Sequence, residues 1–229
     1  MIEIGTDIPT SEQALQLARS HGGSAAVGIH PHEAGRVTDD DWVKLMHLLV
    51  QPGVVALGEI GLDYHYPEPE PHVQKRVFKR QIAMAVGLEI PIVVHNREAD
   101  DDVVAILKKE AGKGLSGVLH CFSSDWEVAN EALQLGFFIG IGGIVTFHNA
   151  QTLRDVVKRI PIERIILETD APYLAPHPHR GKRNDSRYIP LIGEAVAAIK
   201  NLPVEDVARI TTENAQRLFR LNRMDETKK

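Results

Sequence analysis

The chain has 229 residues, 43% of them hydrophobic and 25% charged, with a formal net charge of −5 and a pI near 6.1. That composition suits one sizeable globular core. It excludes capture of nucleic acid or anionic lipid by bulk charge, so a phosphate-bearing substrate would need positive charge supplied locally. One cysteine, Cys121, excludes an internal disulfide and suits a reducing compartment. The longest apolar stretch, residues 136–145, is too short and too rich in glycine to span a bilayer. Residues 1–5 carry no basic segment leading into an apolar one, so the expectation is a cytoplasmic protein with no membrane partner.

In chain order, short apolar or branched runs predict strands beginning at Ile2, Ala25, Val54, Ile90, Gly117, Phe137 and Ile165. Amphipathic stretches predict helices over residues 11–21, 39–50, 72–87, 100–110, 125–135, 150–160, 188–200 and 204–218. Thr10 with Gln13, and Asp39 and Asp40 ahead of Trp42, offer N-caps. Gly87, Gly112 and Gly136 offer left-handed helix stops. The run Pro67-Glu68-Pro69-Glu70-Pro71 reads as a rigid surface loop.

This alternation, with no break in composition, predicts one parallel α/β domain over residues 1–229, of (β/α)8 TIM-barrel type. Seven strands are legible against the eight of a closed barrel. An open doubly wound sheet is the rival, but its first strand should lead into a phosphate-binding glycine turn. Here Gly5 leads into Thr6-Asp7-Ile8-Pro9.

Four of the strand-like runs end in a potential metal ligand: Glu59, His95, His120 and Asp170. An apolar strand has no packing reason to end in His, Glu or Asp repeatedly. If the strands are parallel, these residues lie on one barrel rim, where such enzymes keep their chemistry. Glu59, His95 and His120 make a two-imidazole, one-carboxylate set suited to a divalent metal. Asp170, before Ala171-Pro172, is either a further ligand and base for the attacking water or a turn-forming Asp. His30-Pro31-His32 suits substrate contact or a structural turn, because Pro31 breaks the strand geometry that would align both rings. Arg97 suits a phosphate or carboxylate clamp, against the bland reading of a surface ion pair with Glu98. His179-Arg180-Gly181-Lys182-Arg183-Asn184 lies in the one dense basic loop, and Arg180, Lys182 and Arg183 are its candidate phosphate contacts. Cys121 reads as a small buried filler facing away from His120.

The motifs Gly28-Ile29-His30-Pro31-His32, Gly58-Glu59-Ile60-Gly61-Leu62-Asp63-Tyr64, Val94-His95-Asn96-Arg97, Leu119-His120-Cys121-Phe122, Glu168-Thr169-Asp170-Ala171-Pro172-Tyr173-Leu174, His179–Asn184 and Thr212-Glu213-Asn214-Ala215 follow one another in that order. Together they resemble the TatD family of metal-dependent deoxyribonucleases, amidohydrolase-like TIM barrels, over essentially the whole chain. The resemblance implies a single metal-dependent hydrolase domain that cleaves DNA phosphodiester bonds, on single strands or ends, with Mg2+, Mn2+ or Zn2+. It implies that Glu59 bridges two ions, that His95 and His120 complete one, and that Asp170 serves the other and the attacking water. It also implies an earlier strand with an Asp-Thr-His-x-His-type motif, and no such motif precedes Ile2 in this sequence. The expectation is therefore a barrel without its first βα unit, holding one ion or two. Its strand edges would be left open to self-association, to terminal residues or to local collapse. The alternatives are an impaired barrel that binds metal or nucleic acid ends, and an esterase or amidase working through a single Glu-His-His ion.

Overall fold

Seven strands and eight α-helices alternate in a computed structural model of the chain, which describes residues 1–112 and 114–221. They are β1 (Ile2–Ile4), α1 (Ile8–His21), β2 (Ser24–Val27), α2 (Asp39–Leu49), β3 (Val54–Asp63), α3 (Pro71–Leu88), β4 (Ile92–Arg97) and α4 (Asp100–Ala111). There follow β5 (Gly117–Leu119), α5 (Trp126–Gln134), β6 (Phe138–Ile141), α6 (Gln151–Arg159), β7 (Ile165–Leu167), α7 (Ile189–Lys200) and α8 (Val204–Phe219). Strand order in the sheet follows chain order, and the pairings are parallel. This is the α/β pattern of a (β/α)8 barrel with seven of its eight strands.

The chain divides into two compact units, Met1–Val118 and Leu119–Lys229. In the first, β1 pairs with β2, β2 with β3 and β3 with β4; Ile4 lies opposite Ala26 and Gly61 opposite His95. Strands covered on both faces should be apolar almost throughout. Ala25, Ala26, Val27, Leu57, Ile60, Leu62, Ile92 and Val94 are accordingly buried. Ala14, Leu15 and Ala18 of α1 form one face that packs on Ala25, with Leu48 and Val54 closing over it.

In the second unit β6 pairs with β7, Ile139 opposite Ile165 and Ile141 opposite Leu167. Asn214, buried on α8, donates through Nδ2 to the carbonyls of Ile162 and Ile165, both at 2.8 Å. The Thr212–Ala215 motif thus fastens the last helix to the start of β7.

Helix ends depart from the sequence expectations. Helix α1 starts earlier, capped by Asp7: its carboxylate accepts Thr10 N–H at 2.8 Å, and Thr10 Oγ1 accepts Asp7 N–H at 2.9 Å. Thr10 is therefore the third residue of the helix rather than its cap. Thr38 and Asp41 make the same reciprocal box at α2, in place of Asp39 and Asp40. Gly87 lies within α3, and the left-handed residue after it is Glu89, at φ 54°. The N–H groups of Glu89 and Ile90 reach back to Val86 and Ala85 carbonyls, offsetting the roughly 1–2 kcal/mol that a side chain costs there. Gly112 closes α4 in right-handed geometry; of the three glycines only Gly136 is left-handed. No described helix is long and apolar enough to cross a membrane.

Candidate metal centre

In the first unit the site is built on the end of β3. With side chains alternating along a strand, Glu59, Gly61 and Asp63 share one face. Gly61 stands opposite His95, with φ +149°, and a Cβ there would fall 1.9 Å from the His95 carbonyl oxygen. The imidazole of His95 spans the two carboxylates that flank this glycine. Its Nδ1 lies 2.8 Å from Glu59 Oε1 and its Nε2 lies 3.0 Å from Asp63 Oδ2. Glu59 N–H donates to Gly5 O at 3.0 Å, so the turn after β1 helps to place the carboxylate.

His30 follows β2 and is held by its N–H, which donates to Thr6 O at 2.8 Å. Its Nε2 lies 3.6 Å from Glu59 Oε1, and its Nδ1 accepts His32 N–H at 3.2 Å. That acceptor role leaves the proton of a neutral ring on Nε2. Burial lowers the His30 pKa to about 4, outweighing the pull of Glu59 in the other direction, so the ring is neutral at pH 7. His32 Nε2 is 3.0 Å from Asp63 Oδ2, off the line a hydrogen bond needs. Burial by itself would raise the Asp63 pKa, but the hydrogen bond from His95, helped by that from His65 N–H, outweighs it and brings it to about 2.

The donor set fits a divalent cation. His30, Glu59 and His95 offer ligand atoms all within 4.8 Å of one another. Adjacent ligands of an octahedral ion with bonds of about 2.0–2.1 Å lie roughly 2.9 Å apart, close to the 2.8 Å between Glu59 Oε1 and His95 Nδ1. Neutral imidazole and carboxylate suit Zn2+ and Mn2+, and the carboxylate suits Mg2+. Ligation by His30 Nε2 would require its ring to give up the hydrogen bond from His32 N–H.

In the second unit, His120 is buried just past β5 and sets Nδ1 3.3 Å from Glu168 Oε2. Glu168 Oε1 accepts Cys121 N–H. Gly140 leaves room for this carboxylate: a Cβ there would be 3.0 Å from Glu168 Oε2. Asp170 is half-buried beyond β7 at φ 56°, a left-handed conformation that Asp tolerates better than most residues. Its carbonyl accepts Tyr173 N–H at 2.8 Å. The buried Asn184 donates to the carbonyls of Thr169 and Tyr173, clamping the loop that carries Asp170.

Of the residues singled out by sequence, the structure gathers Glu59, His95, His30 and His32 in the first unit. Arg97 is exposed at the end of β4, its guanidinium 5.5 Å from the Tyr66 ring centre. Arg180, Lys182 and Arg183 are exposed, with Arg180 lying 4.4 Å over Phe147. Cys121 is not the expected buried filler: β5 ends at Leu119, and Cys121 sits half-buried in a turn at φ 47°. Sequence reasoning passed over Asp63 and Glu168. Asp63 was within reach, since it repeats the two-residue period of Glu59 and Gly61. Glu168 was masked by Asp170, two residues on in the same motif.

Parallel strands that end in imidazoles and carboxylates, with donor atoms spaced for a cation, define a metal-dependent hydrolase. Residues 1–220 match the family model described as TatD related DNase. The metal-dependent hydrolase YabD of Bacillus subtilis (strain 168) is 44% identical over 223 residues, covering 97% of this chain and 88% of that protein. The 3'-5' ssDNA/RNA exonuclease TatD of Musicola paradisiaca (strain Ech703) is 38% identical, covering 99% of this chain and 88% of its own length. Among solved structures, the TatD homolog YJJV of Escherichia coli K12 superposes with a TM-score of 0.90 at 28% identity, over 96% of this chain and 85% of that one. The chain belongs to the TatD family of metal-dependent hydrolases.

Proposed function

We propose that the protein is a metal-dependent deoxyribonuclease that hydrolyses phosphodiester bonds at the ends of single-stranded DNA. The observation that carries this reading is the His30–Glu59–His95 cluster, a cation-sized donor set. The likeness to a relative named as a 3'-5' ssDNA/RNA exonuclease supports the substrate class. A divalent ion bound there supplies positive charge against the phosphate and acidity to water.

The chain's own residues divide the remaining work. Glu59 and His95 serve as metal ligands in the first unit and His120 and Asp170 in the second, and Asp170 also orients the attacking water and takes its proton. His30, neutral with its proton on Nε2, donates to a phosphate oxygen. His32 contacts the substrate beside it, and Arg97 clamps a neighbouring phosphate through its paired donors. Arg180, Lys182 and Arg183 track the strand by charge, which an acidic protein needs locally. The exposed edge of β1, where Ile4 is 38% exposed, offers a surface for self-association. A single cysteine suits a reducing cytoplasm.

The test is degradation of a 5'-labelled single-stranded oligonucleotide with Mg2+, Mn2+ or Zn2+, beside Glu59→Gln and His95→Ala. A product ladder in the parent, with rates at least about 100-fold lower in both variants, is expected for loss of a metal ligand or its charge. Equal rates in parent and variants, or no degradation with any ion, would overturn the reading.

A further inference from the structure

Asp63 is the one acidic side chain among the described residues that is buried, at 1% exposure. A buried carboxylate costs several kcal/mol unless it is well paired, and its surroundings are built to hold it. Gln74, itself buried, fixes the backbone of Asp63 from both sides. Its Oε1 accepts Asp63 N–H, and its Nε2 donates to Asp63 O, both at 2.8 Å. Oδ1 accepts His65 N–H at 3.0 Å, which leaves Oδ2 directed at His95 Nε2.

A carboxylate can only accept, so at 3.0 Å it requires a proton on His95 Nε2. The Nδ1 of a neutral ring is then a bare lone pair, facing Glu59 Oε1 at 2.8 Å. Two acceptors that close repel unless something positive binds both of them. We propose that Asp63 is the positioning residue of the metal site, holding His95 in the Nε2–H tautomer so that Nδ1 and Glu59 Oε1 take one divalent ion. Carboxylate–imidazole–metal chains of this kind orient the ligand and raise its basicity. The inference rests on the metal reading of Glu59 and His95 and is independent of what the enzyme cleaves.

Asp63→Asn separates this role from a merely structural one. His65 N–H keeps the amide oxygen on its side, so the new NH2 group faces His95 Nε2, which must then accept. The ring proton moves to Nδ1 and blocks the ion. The expected result is Mn2+ or Zn2+ affinity, by titration calorimetry, weakened about 10–100-fold, in a metal-free variant that still unfolds cooperatively. Imidazole 15N spectra, assigned with His95→Gln, should show His95 protonated on Nε2 in the parent loaded with Zn2+ and on Nδ1 in Asp63→Asn. Parent-like metal affinity in a folded Asp63→Asn overturns the proposal. So does a parent spectrum with the His95 proton on Nδ1, a measurement that needs no variant at position 63. None of these readings involves nucleic acid, so a failed nuclease assay and a failed positioning role are told apart.

Discussion

At the scale of single residues, the cluster in the first unit depends on a side chain that is missing. Gly61 lets His95 lie flat across β3 between Glu59 and Asp63. Any Cβ at that position meets the His95 carbonyl at 1.9 Å, in a conformation that L residues avoid. Gly61→Ala should therefore lose roughly 1–3 kcal/mol from backbone conformation alone, with the clash adding to it. It should also displace His95 and weaken metal binding, whereas Gly87→Ala, in open space within α3, should leave metal binding unchanged. Urea denaturation and Mn2+ titration of the two variants check this, and parent-like behaviour of Gly61→Ala would remove His95 from the centre. Glu59 and His95 were legible because each breaks off an apolar run in a way that packing does not explain, although β3 continues to Asp63 and β4 to Arg97. The pairing of His95 with Asp63 was not, because it spans 32 residues of sequence and exists only through the β3–β4 register. The same holds for His120 and Glu168, 48 residues apart.

At the scale of elements, every strand and α-helix was legible from apolar runs and helical periodicity, with boundaries moving by up to four residues. The caps were not. Asp7 and Thr38 are chosen by where the backbone N–H groups of the first turn point, which side-chain periodicity does not encode. Also hidden was a polar tie between elements. Tyr64, just past β3, donates to Asp102 of α4 at 2.8 Å, and Lys75 of α3 reaches the same oxygen at 2.7 Å. Hydrogen bonds from Lys75 and then Tyr64 hold the Asp102 pKa below the usual carboxylate range. A pKa lowered by folding adds stability above the unfolded value, near 3.9, and that stability is lost as pH falls through the folded value. The Asp102 side chain is 38% exposed, so solvent screening limits the gain to about 0.5 kcal/mol. Asp102→Asn should be less stable than the parent by that amount at pH 7, with the gap closing below about pH 4. Urea midpoints at pH 7 and pH 3 measure it. A gap of the same size at both would assign the loss to packing instead.

At the scale of the whole molecule, a net charge of −5 sets a problem for the phosphodiesterase function proposed above. A nucleic acid substrate would be repelled in bulk, so positive charge would have to be gathered where the strand runs. Arg180, Lys182 and Arg183 sit exposed on one loop whose end is anchored by the buried Asn184, so the loop presents its charge to solvent from a fixed base. Each phosphate neutralised on a single strand contributes about 0.7 to the slope of log K against log salt. Replacing all three residues by alanine should therefore flatten that slope by roughly 2. Affinity should fall alike for oligonucleotides of different sequence, because phosphate contacts carry no base information. Binding measured by anisotropy in EDTA, where no cleavage occurs, isolates this effect. Mn2+ affinity at Glu59 and His95 should stay at the parent value, since the loop supplies none of that cluster's donors. An unchanged salt slope in the triple variant would make the loop an ordinary solvated surface. The attraction of DNA proposed above would then fall to Arg97, His30, His32 and, where metal is present, the bound ion.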